Sequence, residues 1–342
     1  MSGSATPHPL PPIAVSLGDP AGIGPELIVR CWAERRERQL PPFAVAGGAA
    51  IITAAADAIR LPLRVHRIAR LDEAAAVFDG LLPVLEIGTP EPPYTPGEPN
   101  QMGARLALES LEAAVRFARD RFAAAIVTSP INKSQLATVG FAYPGQTEFV
   151  AERCGVAAHD AVMMLAGPTL RTVPLTVHCA LAEVPGLVTA ELLQRRTRIA
   201  ARALSRDFGV ANPRIAVAAL NPHAGEGGRF GDEEATIIAP AIAALRNEGL
   251  DISGPHPADA LFTPRARQQF DLAMCMYHDQ ALIPLKALDF DEGVNVTLGL
   301  SIVRTSPDHG TAFDIAGRGV ADPGAMAAAI LMAGECATRR SF

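Results

Sequence analysis

IAVSLGDPAGIGPELIVRCWAERR, residues 13–36, decides the architecture. An apolar run of strand length, Ile13–Leu17, meets a glycine-rich turn. The turn opens an amphipathic helix over Pro25–Arg36, with proline at the first helical position, where its missing N–H is no loss. The same alternation recurs along the chain. Strand-like apolar runs fall at Phe43–Ala46, Ala123–Val127, Arg214–Leu220 and Leu272–Tyr277. Helical periodicity covers Gln101–Arg119, Ala190–Arg206 and Glu233–Glu248, and Pro240 should kink or divide the last of these. Alternating strands and helices mark an α/β protein. Val162–Ala166, Gly167-Pro168-Thr169 and Leu170–Val177 read as a hairpin, so the sheet is mixed and not parallel throughout.

A chain of 342 residues is too long for one comfortable core and suits two α/β lobes. Residues 1–130 with 288–342 are expected to form one lobe and residues 131–287 the other, with the active site in the interdomain cleft. GTPEPPYTPGEPN, residues 88–100, is the most loop-like stretch and marks a linker or a flap.

A net charge of -6 gives no basic field for nucleic acid or an anionic membrane, so an anionic substrate must be caught by a few local cations. The apolar stretches are far shorter than the ~20 residues a membrane span needs. The first dozen residues, MSGSATPHPLPP, lack the apolar core of a signal segment and read as a frayed tail. The five cysteines are scattered without a C-x-x-C pair, which argues against a disulfide framework or a cysteine zinc site. A cytoplasmic protein with neither nucleic-acid nor membrane partner is expected.

Three of the eight histidines end strand-like runs: His178 in LTVHCAL, His223 in ALNPHAGEGG and His278 in CMYHDQ. They lie 45 and 55 residues apart, so no compact metal motif is present. Imidazoles on neighbouring strand ends can still converge on one divalent ion with an open position for substrate. Three unrelated hydrogen-bonded histidines is the stronger reading on spacing alone.

The loop GDPAGIGPE, residues 18–26, fails the dinucleotide fingerprint because Leu27 stands where its last glycine belongs. It is either an ordinary strand-to-helix turn or a wall that lets backbone approach a ligand. NPHAGEGGRFGDEE, residues 221–234, has more glycine than a turn needs and reads as a ligand-facing loop. Lys286, Asn295 and Arg304 lie among apolar residues, where a cation is costly unless paired. Long stems that carry the charge to the surface are the bland alternative. An anion site would use the arginine fork, a lysine point charge and a neutral amide.

From residue 13 to about residue 333 the chain resembles the 4-hydroxythreonine-4-phosphate dehydrogenases of vitamin B6 (pyridoxal phosphate) synthesis. The resemblance rests on GDPAGIGPE, VTSPINK, PGQTEF, MMLAG, NPHAGEGGRFG, GPHPAD, YHDQALIPLK, VNVTLGL and RTSPDHGTAFDIAGRG in the family's order. It implies an isocitrate/isopropylmalate dehydrogenase-like fold, which binds NAD without a Rossmann loop. The segment HGTAFDIAGRG is similar to the one that holds the cofactor's adenosine half there, which points to His309, Gly310, Thr311 and Ala312. The N- and C-terminal lobe is then the cofactor side, and the central lobe carries the metal ligands and dimer contacts.

By the same resemblance His178, His223 and His278 are metal ligands, zinc being the expected ion and cobalt, manganese or magnesium its substitutes. The third histidine comes from the partner subunit, which implies a homodimer. Thr147, Lys286, Asn295 and Arg304 match substrate-contacting positions. Gln146 departs from the family, which usually has histidine there; glutamine can donate a hydrogen bond but cannot carry a proton. Asp259 and Asp279 are expected to orient ligands or, more plainly, to cap a helix or turn.

The implied reaction is oxidation of 4-phosphooxy-L-threonine at C3 by NAD, then decarboxylation to 3-amino-2-oxopropyl phosphate, with Lys286 as the proton-transfer group. Gln146 leaves D-threonate and D-erythronate 4-phosphates open as substrates. A metal-dependent hydrolase is the more remote alternative.

Overall fold

Strands buried on both faces must be apolar along their whole length, and Ile13–Ser16 and Phe43–Gly47 are buried at every position. In the computed structural model, which describes residues 10–88 and 93–340, these two strands lie side by side and parallel. Most of the N-terminal tail and residues 89–92 of the proline-rich stretch fall outside the described residues. The chain divides into two units: Met1–Pro144 with Ser301–Phe342, and the continuous segment Gly145–Leu300.

The first unit contains β1 (Ile13–Ser16), β2 (Phe43–Gly47), β3 (Val65–Ile68), β4 (Leu82–Glu86), β5 (Ile126–Thr128) and β12 (Arg304–Pro307). Their order is β3-β4-β2-β1-β5-β12, with every pairing parallel. The helix Gln101–Arg119 starts and stops where its periodicity predicts. The Asn100 side chain caps it by accepting from Gly103 N at 2.9 Å. From its buried face the Ser110 hydroxyl accepts from Leu17 N at 2.8 Å and donates to Ala46 O at 2.5 Å, tying the ends of β1 and β2.

The second unit contains β6 (Val162–Ala166), β7 (Arg171–Pro174), β8 (Arg214–Ala218), β9 (Asp251–His256), β10 (Leu272–Cys275) and β11 (Val294–Leu298), in the order β11-β6-β7-β10-β8-β9. β6 pairs antiparallel with both β11 and β7, whereas β7, β10, β8 and β9 run parallel, so this sheet is mixed. The predicted hairpin is β6–β7. The Asp289 carboxylate fastens its turn, accepting from Thr169 N at 3.0 Å and from the Thr169 hydroxyl at 2.9 Å. Pro240 divides the predicted helix 233–248: a widened turn occupies Glu234–Ile238, and a regular helix follows over Ala239–Asn247. Leu165, Leu170, Leu261, Phe270 and Leu282 pack together as the core on this side. Among the described residues no helix is long and apolar enough to cross a membrane.

Candidate metal and substrate site

Register places the first two candidate ligands. β7 pairs with β10 up to Pro174 and Cys275. Beyond the strands Leu175 N donates to Cys275 O at 2.7 Å and Thr176 N to Met276 O at 3.2 Å. Two residues further on each side stand His178 and His278. Their ring centroids are 5.7 Å apart and the rings are tilted by 43°. His278 opens the helix His278–Leu288, and its Nδ1 lies 2.7 Å from Asp279 Oδ1. A carboxylate at that nitrogen fixes the tautomer and leaves Nε2 for ligation. Both side chains reach solvent, His278 with 38% of its area exposed.

His223 follows β8 in an unusual loop. Five successive residues, His223 to Gly227, all have positive φ (43° to 77°). Three of them, His223, Ala224 and Glu226, are not glycine, and each such placement costs about 1–2 kcal/mol. His178 also has positive φ, 35°. Strain of this kind persists only where the surroundings enforce it, and it gathers at functional sites. The enforcing contacts are visible: Glu234, nearly buried, accepts from Asn221 N at 2.7 Å and from Asn221 Nδ2 at 3.0 Å, while Glu233 takes Nδ2 at 2.7 Å. The His223 ring centroid lies 6.3 Å from that of Phe230. Among the described residues of this one chain, no group of three or more His, Cys, Asp or Glu stands close enough to hold a metal ion.

The other candidates of this unit fall in different settings. Gln146 and Thr147 are the first two residues of the helix Gln146–Arg153, half-buried, behind an extended Gly145 that offers no side-chain cap. A helix N-terminus without a side-chain cap suits an anion. Asn295 sits on β11, with its Oδ1 buried and without a hydrogen-bond partner among the described residues. A buried acceptor lacking a donor is costly, and a ligand hydroxyl or ammonium would satisfy it. Lys286 is exposed on its helix, as the surface-reaching alternative has it, while its neighbour Leu285 faces inward. Asp259 is exposed in the first turn of the short helix Ala258–Leu261, and Asp279 is 69% exposed beside His278.

Arg304 belongs to the first unit and is only 4% exposed. Its Nε and Nη2 donate to Thr128 Oγ1 at 3.2 and 2.8 Å, from adjacent β12 and β5. Thr128 lies in VTSPINK, and nothing in its sequence setting singles it out. The loop after β12 carries His309, Gly310, Thr311 and Ala312, the last with φ of 42°.

The first glycine loop is pinned to that segment. Ile23 N donates to Thr311 O at 2.9 Å, and a Cβ at Gly22 would stand 2.9 Å from the same oxygen. Glu26, fully buried, accepts from Gly317 N at 3.0 Å and from Ala321 N at 3.3 Å. Burial beside Glu26 pushes the Tyr94 hydroxyl up to about 12. Asp19 is also buried and its pKa raised by desolvation, opposed by a hydrogen bond from Ala21 N. The loop is thus a strand-to-helix turn that organises a neighbouring loop. Gly18→Ala is expected to lower stability by about 2–3 kcal/mol, since φ is +72° and the new Cβ would stand 2.5 Å from Pro130 O. Denaturant unfolding reads this, and an unchanged midpoint would contradict the close packing.

Residues 39–333 match the family model described as pyridoxal phosphate biosynthetic protein PdxA. A 4-hydroxythreonine-4-phosphate dehydrogenase of Erythrobacter litoralis is 60% identical over 334 residues, covering 98% of this chain and 99% of the relative. One of the same name from Zymomonas mobilis is 51% identical, with 96% of each chain covered. Among solved structures, a 4-hydroxythreonine-4-phosphate dehydrogenase of Klebsiella pneumoniae superposes with a TM-score of 0.86 at 38% identity, over 96% of this chain and 98% of that one. A terephthalate 1,2-cis-dihydrodiol dehydrogenase of Burkholderia xenovorans reaches 0.66 at 30% identity, with the same coverage.

Proposed function

The chain belongs to the PdxA family of pyridoxal phosphate biosynthetic proteins, and from that membership we propose that it oxidises 4-phosphooxy-L-threonine at C3 with NAD and releases CO2 and 3-amino-2-oxopropyl phosphate. The observation that carries the proposal to this chain's own residues is the register-matched pair His178 and His278, with Asp279 behind the second ring.

Two imidazoles 5.7 Å apart fit a shared divalent ion, and His223 is the natural third donor. By the family resemblance one histidine of the set comes from the partner subunit, so each site draws on both copies of a homodimer. The all-imidazole donor set suits zinc, which would supply Lewis acidity to the substrate oxygen. His309, Gly310, Thr311 and Ala312 would hold NAD, which would supply the hydride acceptor for C3.

This chain's residues do the rest. Lys286 Nζ receives the C3 hydroxyl proton as the ketone forms. After the C1 carboxylate leaves as CO2, the same Nζ returns a proton to C2 of the enolate, so the proton count closes. Exposure on its helix lets the lysine stem reach a ligand. Asn295 Oδ1 accepts from a substrate donor, the ammonium or the hydroxyl. Gln146 and Thr147, at a helix start, and the buried fork of Arg304 bind the substrate's anionic groups. Gln146 holds without titrating. Asp279 orients His278, and Asp259 is assigned to a similar outer position. The acidic net charge and scattered thiols suit the cytoplasm.

The test is NADH formation from 4-phosphooxy-L-threonine by the chelator-treated protein, before and after zinc, cobalt or manganese is restored. Metal-dependent NADH with CO2 release is expected. NADH only from D-threonate or D-erythronate 4-phosphate would overturn the substrate, and no NAD binding at all would overturn the reaction class.

A further inference from the structure

We propose that Gln280, together with Thr176, is a positioning element that sets the geometry of the metal ligands although neither residue is itself a ligand. This rests on the metal reading of His178, His223 and His278 given above. Gln280 is 8% exposed and lies in the first turn of the helix that His278 opens. Its Oε1 accepts from Met276 N at 2.7 Å, and its Nε2 donates to Ala219 O at 2.8 Å. Met276 stands two residues before His278 and Ala219 four before His223, so one amide joins the strand ends that present both histidines.

The strand end that leads to His178 is tied to the same peptide. Thr176, two residues before His178, gives Met276 O two hydrogen bonds: its hydroxyl at 2.8 Å and its N–H at 3.2 Å. Met276 is therefore gripped at its N–H by Gln280 and at its carbonyl by Thr176. Behind Thr176 the Arg196 guanidinium donates to Pro174 O at 3.2 Å and to Leu175 O at 2.9 Å. The ends of β7, β10 and β8, each followed along the chain by one of the three histidines, are thus cross-linked by side chains.

The chemistry of position 280 is narrow. It needs an acceptor and a donor at one reach, which an amide offers. Glutamate of the same shape keeps the acceptor for Met276 N but sets a carboxylate oxygen against Ala219 O. Methionine of similar length loses both bonds. Metal ligands held to within a few tenths of an ångström depend on such support, and its loss typically weakens metal binding by ~10–100-fold.

The experiment uses the full-length protein with Co2+ as the probe, measuring affinity by chelator competition and geometry by the visible absorption bands. Gln280→Glu and Gln280→Met are expected to weaken Co2+ binding by about 10–100-fold and to alter the bands. Thr176→Val should do the same to a smaller degree, with Thr176→Ser restoring the wild-type spectrum. Ser110→Ala removes a comparable two-sided bridge in the other unit and should lower stability while leaving Co2+ affinity unchanged. Wild-type affinity and bands in both Gln280→Met and Thr176→Val, with binding lost in His278→Ala, would overturn the positioning role and leave the metal reading standing. An equal loss in Ser110→Ala would also overturn it, by showing a global effect. Unchanged Co2+ binding in His278→Ala would overturn the metal reading and this inference with it.

Discussion

His278→Ala is expected to lower kcat/KM for 4-phosphooxy-L-threonine by at least about a thousandfold, near 4 kcal/mol of transition-state stabilisation. The ring is one of the register-matched pair, and Asp279 commits its Nδ1, so the substitution removes Nε2 as the donor. Stability should change little, by about 0.5 kcal/mol, because the side chain is 38% exposed. Asp279→Asn separates orientation from ligation: metal affinity should fall by roughly 10–100-fold while binding persists at high metal. Metal analysis after dialysis, with the NADH assay, reads both. A His278→Ala protein that keeps its metal and a tenth of its activity would sink the assignment.

The second large effect is expected at Glu26, far along the chain from any predicted ligand. Its buried carboxylate accepts the N–H groups of Gly317 and Ala321, and charge-assisted bonds of this kind each contribute about 1.5–3 kcal/mol. Part of that is offset in Glu26→Ala, because the desolvation cost of the carboxylate disappears as well. A net loss of about 2–4 kcal/mol should appear in urea unfolding. The loop 309–321 would lose its anchor, and NAD affinity, followed by titration, should fall about tenfold or more. Gly22→Ala attacks the same loop from its other side, through Thr311 O. If Glu26→Ala loses stability but binds NAD as before, His309–Ala312 is not the cofactor segment.

What the sequence disclosed follows from where its signals are local. Gln101–Arg119 reads correctly to the residue because a sustained apolar stripe coincides with an Asn100 cap. Ala123–Ala125 read as strand from their apolar character, yet the strand begins at Ile126, since alanine carries little preference for a pleated surface. β3 and β9 escaped notice because Val65–Ile68 and Asp251–His256 are only partly buried and carry polar residues. LIPLKAL leaves the lysine's setting open in sequence, and helical periodicity turns Leu285 in and Lys286 out.

The histidines were visible as strand-end residues, but their pairing was not. It depends on the register between β7 and β10, strands a hundred residues apart. Gln280 lies inside YHDQALIPLK with nothing local to mark it, because its role depends on two backbone groups at the ends of β10 and β8. Glu26 was hidden in the same way. Buried polar clamps are written in tertiary contacts, and sequence alone shows only that a polar residue sits among apolar ones.

The pairing of β5 with β12 has a consequence for synthesis on the ribosome. Thr128 and Arg304 are 176 residues apart, and the whole of Gly145–Leu300 is made between them. At ~5–20 residues per second, roughly 10–35 s pass before Arg304 emerges to meet the Thr128 hydroxyl. For that interval β5 has a bare strand edge, the kind of surface on which nascent chains mispair. The unit that begins first is finished last, and slower translation or added chaperone across residues 145–300 should bear most strongly on the yield of folded protein.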